Sequence, residues 1–149
     1  MATTRKNARK STKAAVMRAG VVVSSIVFAL IHVPNVLVAE VDPLVGVLAV
    51  VILGLLGLIL AGAYVWTERL WLPVALHMSW NFGQGALLGF PVSGTPSQGL
   101  VQPTLRGPDW LTGGAFGPEG GVVGLLALGL AGLAVWAYAG AAHRAAPPR

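Results

Sequence analysis

Apolar stretches long enough to cross a bilayer as helix occupy most of this 149-residue chain and leave few folds open to it. At a rise of 1.5 Å per residue, a hydrocarbon core about 30 Å thick needs roughly 20 residues. The stretches run over 14–39, 43–66, 70–90 and 121–142. With 55% hydrophobic and 10% charged residues, and a mean hydropathy of +0.74, the chain has too little polar surface for a soluble domain of this size. The expected fold is an all-α integral membrane bundle of about four transmembrane helices, since a lipid-exposed backbone must satisfy its hydrogen bonds internally.

Glu40-Val41-Asp42 followed by Pro43 marks a turn and a helix start, and Thr67-Glu68-Arg69 makes a second short turn. Both connections force antiparallel neighbours. The chain divides into a basic lead-in over 1–13, a membrane domain over 14–142 and a tail over 143–149, where His143 beside Arg144 is expected in solvent. Six of the ten Lys and Arg are grouped at the start of the chain, Arg5, Lys6, Arg9, Lys10 and Lys13 before the first apolar run and Arg18 in its first turns. Placing the N-terminus in the cytoplasm puts these six, Arg69, Arg144 and Arg149 on one side and leaves Arg106 on the other. Both termini are therefore expected to be cytoplasmic, in the plasma membrane of a prokaryote. The lead-in has no cleavage pattern and reads as a disordered segment lying on anionic lipid, so the net charge of +5 does not point to nucleic acid. Zero cysteines exclude disulfides, thiolate ligands and a cysteine nucleophile.

The loop over 91–120 holds five prolines and seven glycines and excludes another spanning helix. It is read either as a lid or binding loop or as an inert cap. Gly85 and Gly89 form a Gly-x-x-x-Gly, and Gly54, Gly57 and Gly62 thin the second stretch, so close helix packing is expected at both.

Polar residues interrupt two of the stretches at helical spacing. His77, Asn81 and Gln84 follow one another at i, i+4 and i+7, as Ser25, Phe28, His32 and Asn35 do on the first stretch. An imidazole or carboxamide in hydrocarbon costs free energy unless paired or wet, so such residues are functional candidates. Facing stripes would line a small cavity suited to metal binding by two imidazoles, polarisation of a carbonyl by His and Asn, or interhelical hydrogen bonding. Phe28, Trp80 and Gln84 are candidate cavity walls, Phe28 more for packing than for chemistry. Ser24 and Ser25 are expected to bond back to their own helix. One tension stands: on a helix starting at Ala14, His32 lies about 27 Å from the cytoplasmic face, but His77 only about 10 Å along the third helix.

Phe28-Ala-Leu-Ile-His32, followed about 45 residues later by His77-Met-Ser-Trp-Asn81, resembles the second and last motifs of the CPBP family. These intramembrane proteases include type II CAAX prenyl endopeptidases and the bacteriocin-processing, Abi-like enzymes. Tyr64-Val-Trp-Thr-Glu-Arg-Leu-Trp-Leu-Pro-Val-Ala-Leu-His77 also resembles the family's approach to its last motif, and the similarity spans roughly 20–142. The resemblance implies an intramembrane endopeptidase, a metalloprotease or glutamate protease in type. His32 would bind metal or position water, and His77 with Asn81 would stabilise the tetrahedral oxyanion. A divalent metal such as zinc on His32 and His77 is one implied cofactor. The substrate would be a polypeptide or transmembrane segment, met within membrane lipid.

The family's first motif, Glu-Glu-x-x-x-Arg, is absent from these residues. Glu40, the first acidic residue, follows His32 and sits at the wrong membrane face for a cytoplasmic-facing site. The chain therefore reads as the C-terminal portion of the family domain, truncated or weakly active as it stands, with a partner chain or upstream segment supplying the carboxylates. Two imidazoles alone would not hold zinc tightly or make water nucleophilic. Two alternatives remain: a bis-histidine haem-binding membrane protein, and a non-catalytic scaffold.

Overall fold

The computed structural model describes residues 2–145 and is all-α, without a named strand among them. The helices are α1 (Ala2–Leu30), α2 (Val33–Val38), α3 (Pro43–Thr67), α4 (Trp71–Asn81), α5 (Asp109–Thr112) and α6 (Val122–Ala145). The expected solvated side chain of His143 lies outside the described residues.

α3 is the central pillar. Asp42 caps it, its carboxylate accepting from Leu44 N–H at 2.8 Å, with Pro43 in the first turn. Glu68 ends it in the left-handed region at φ 52°. Val45, Ala49, Ile52, Leu53, Leu56 and Leu60 form a buried stripe at helical spacing, joined by Ala29 of α1, Leu128 of α6 and Phe116. α1 runs antiparallel to α3, and α6 runs parallel to it. A Cβ on Gly57 would lie 2.9 Å from Ser25 Cα, so glycine there is what lets the α1 and α3 backbones touch.

The first apolar stretch differs from expectation at both ends. The basic lead-in, expected to be disordered, is helical and continuous with the span, because no glycine occurs before Gly20 and alanines, lysines and arginines favour helix. Near its other end the helix breaks at Ile31 and His32. Pro34 has no N–H to offer Leu30 and its ring would clash with that carbonyl, so α1 stops at Leu30 and α2 restarts beyond His32. The third stretch is likewise two pieces: α4 passes into a π-helical segment, Phe82–Leu87, a departure common beside functional sites.

The loop over 91–120 is a folded cap. Val92 and Thr95 exchange hydrogen bonds, each 2.9 Å, in a tight turn. Leu100 N–H and Val101 N–H donate to Ala86 and Leu87 carbonyls, filling acceptors that the end of the π segment leaves open. Phe116 plugs the core from the cap side. Gly85 and Gly89 pack against this cap, not against another helix: a Cβ on Gly85 would meet Val92 and Ser97, and one on Gly89 would strike the Val101 carbonyl.

Candidate functional site

The break at Pro34 creates the first half of the site. His32 N–H bonds to Ala29 O at 3.1 Å, one residue short of the usual α-helical pairing with Phe28 O. The imidazole takes that carbonyl instead, His32 Nδ1–H donating to Phe28 O at 2.6 Å. A carbonyl accepts only, so Nδ1 carries the proton of the neutral ring and Nε2 keeps its lone pair. The ring also lies against Phe28, with centroids 4.8 Å apart.

α4 supplies the second half. Asn81 Nδ2–H donates to His77 Nε2 at 3.3 Å, along one helix face as the i, i+4 spacing requires. His77 therefore carries its proton on Nδ1. The Asn81 Oδ1 is enclosed and has no hydrogen-bond partner among the described residues, a cost of about 1–3 kcal/mol.

Phe28 joins the halves. Its ring meets His77 edge to face at 5.3 Å and lies tilted against His32, so both imidazoles contact one aromatic ring. The depth mismatch is bridged by Phe28: His32 reaches back one turn to the Phe28 carbonyl, and the Phe28 ring touches His77 on α4.

An apolar groove of about 480 Å³ leads to this point. Met17, Val21, Leu60, Tyr64 and Pro73 line it, and Phe28 forms its inner end. It lies between α1, α3 and the start of α4, so a chain in the groove would have its end against the ring that touches both imidazoles.

The remaining sequence candidates lie toward the cap. Trp80 Nε1–H donates to Glu119 Oε1 at 2.8 Å, and Gln84 Nε2–H donates to Pro91 O at 2.6 Å. Asn35 Nδ2–H donates to Ser93 O at 2.9 Å. Ser24 and Ser25 both donate to Val21 O within their own helix. Glu119 is the residue that sequence reasoning passed over. It lies in a 3₁₀ turn of the cap, is 1% exposed, and accepts from Trp80 Nε1–H and from both Ser93 N–H and Ser93 Oγ–H, the last two at 2.7 Å. The available signal was scarcity: it is one of five acidic residues, set directly before the last apolar run.

As a metal site these residues are incomplete. Among the described residues no group of three or more His, Cys, Asp or Glu is placed to hold an ion. His77 Nε2 is turned to Asn81, and Phe28 lies against both rings. The same arrangement gives a haem no open pair of facing imidazole nitrogens.

A family model described as type II CAAX prenyl endopeptidase Rce1-like matches residues 3–83. No curated protein and no solved structure matches the chain. The matched residues include Phe28, His32, His77, Trp80 and Asn81, and stop short of Gln84 and the cap.

Proposed function

We propose, from the premise that this chain belongs to the Rce1-like family of type II CAAX prenyl endopeptidases, that it is an integral membrane protein providing the histidine and asparagine half of an intramembrane endopeptidase site. The observation that carries this reading is the meeting of His32 and His77 on Phe28, with Asn81 bonded to His77. In hydrolysis, His32 Nε2 would accept a hydrogen bond from the attacking water and orient it. The second Nδ2–H of Asn81, whose amide is held by His77 Nε2, is the donor available to a developing oxyanion, and a preorganised donor of this kind is worth about 3–4 kcal/mol. The unpartnered Asn81 Oδ1 would accept the N–H of the substrate backbone.

The groove ending on Phe28 suits an extended apolar substituent or segment beside the scissile peptide. By the charge distribution, its mouth at the Met17 and Tyr64 level faces the cytoplasm, which is where both termini would lie.

What these 149 residues do not contain is Glu-Glu-x-x-x-Arg. A neutral imidazole alone is a poor activator of water, so hydrolysis depends on carboxylates from outside residues 1–149, in a longer polypeptide or a second chain. The experiment is peptide cleavage by the purified protein, with prenylated and unprenylated substrates. The expected result is weak or no turnover by these residues alone. Robust turnover abolished by His77→Ala would show that the missing carboxylates are dispensable, and robust turnover unaffected by it would remove the site.

A further inference from the structure

We propose that Glu119 is a positioning residue that sets His77 and Asn81 against His32 from the cap side. The cap reaches both halves of the site through hydrogen bonds centred on this carboxylate. On one side, Oε1 accepts from Trp80 Nε1–H, and Trp80 immediately precedes Asn81 and lies three residues after His77. On the other, Oε2 accepts from the N–H and Oγ–H of Ser93, whose carbonyl accepts from Asn35 Nδ2–H, three residues beyond His32. Asn35, Ser93, Glu119 and Trp80 thus form one chain of hydrogen bonds from α2 to α4. It runs beside the Phe28 contact, which is the other bridge between the two histidines.

Chemistry favours a positioning role over simple closure of the loop. Taking a carboxylate out of water costs several kcal/mol, and well-packed apolar residues often stabilise such a place as well or better. What a buried carboxylate adds is direction: each oxygen accepts only from donors within a narrow range of distance and angle. Ser93 is held in the left-handed region at φ 47°, a strained conformation for a non-glycine residue, while both its N–H and Oγ–H point at Oε2. The three donors to Glu119 are neutral: Trp80 Nε1–H comes from α4, and the N–H and Oγ–H of Ser93 come from the cap residue that also holds Asn35 of α2. The α1–α2 break beside His32 and the π segment beside Asn81 are the two places beside the site where the regular α-helical hydrogen-bond ladder is interrupted. The hydrogen-bond chain spans both.

The inference rests on the hydrolytic reading only for its kinetic consequence, so the test has an arm that needs no turnover. The absence of cysteine allows spin labels at Leu37→Cys on α2 and Met78→Cys on α4, which are 73% and 66% exposed. In the full chain in lipid, the label pair is expected to give one narrow distance distribution, and the side-chain ¹⁵N spectrum of His77 one tautomer with Nε2 accepting. Glu119→Gln and Trp80→Phe should each broaden the distribution and mix the His77 tautomers. Trp80→Phe keeps most of the ring and removes only the N–H donor, so it decides the matter if Glu119→Gln does not fold. Variants that fold, lose thermal stability and yet keep the distance and the His77 spectrum would overturn the proposal, since that is the behaviour of a loop clasp. Where cleavage is obtained, Glu119→Gln should lower kcat on the order of 10- to 100-fold with KM unchanged, as slight misplacement of reacting groups does. Absence of cleavage once a polypeptide bearing Glu-Glu-x-x-x-Arg is supplied counts against the hydrolytic reading and leaves the spectroscopic result to judge Glu119.

Discussion

Pro34 decides how His32 is presented. By ending α1 at Leu30 it leaves the His32 N–H to Ala29 O and frees Phe28 O for the imidazole. Pro34→Ala is expected to let the helix run on, return His32 N–H to Phe28 O and displace the ring. A ¹⁵N spectrum would then show both His32 tautomers in place of one, whereas an unchanged spectrum would mean that the imidazole is fixed by something other than the break. Much at this scale was legible in the sequence. The i, i+4 spacing of His77 with Asn81 foretells their hydrogen bond, because one turn of helix is a short-range rule, whereas the bond from His32 to Phe28 O follows only once the helix breaks before Pro34. Glu119 was not legible, since its partners Trp80 and Ser93 lie 39 and 26 residues away and only the folded cap brings them together. Its flanking Pro118 and Gly120 look like ordinary loop punctuation.

Among the elements, the α1–α3 crossing is the contact most exposed to a single change. Gly57→Val would drive a side chain into the Ser25 backbone and should cost about 1–3 kcal/mol, read as a lower unfolding temperature in detergent. Gly62→Ala meets nothing within 4 Å and should be neutral or stabilising by up to about 1 kcal/mol, which makes it the control for helix propensity. Glu68, left-handed at the end of α3, offers a gain: Glu68→Gly should raise stability by about 1 kcal/mol, and a loss would show that its side chain serves the turn. The apolar stretches announced where helices lie, because hydropathy and length are local. They did not announce that 91–120 folds against Ala86 and Leu87, or that Gly85 and Gly89 serve that cap, because a Gly-x-x-x-Gly shows only that something packs closely.

For the whole molecule, the bundle places the Phe28, His32 and His77 meeting point between a groove at one end and a folded cap at the other. The orientation proposed from the charge bias would put the groove mouth in the cytoplasm and the cap outside. A cysteine at Leu100, in the cap and exposed, should react with a membrane-impermeant maleimide added outside intact cells, while one at Arg9 should react only after lysis; the opposite pattern would invert the orientation. The family match covers the elements that carry both histidines and ends before the cap. The central claim is that residues 1–149 contribute the histidine and asparagine half of a hydrolytic site. Its most direct test is to reconstitute the chain in lipid with a polypeptide bearing Glu-Glu-x-x-x-Arg and measure cleavage of a prenylated peptide. The account predicts turnover that neither component gives alone and that His32→Ala, His77→Ala or Asn81→Ala each abolish; turnover that survives His77→Ala would contradict it.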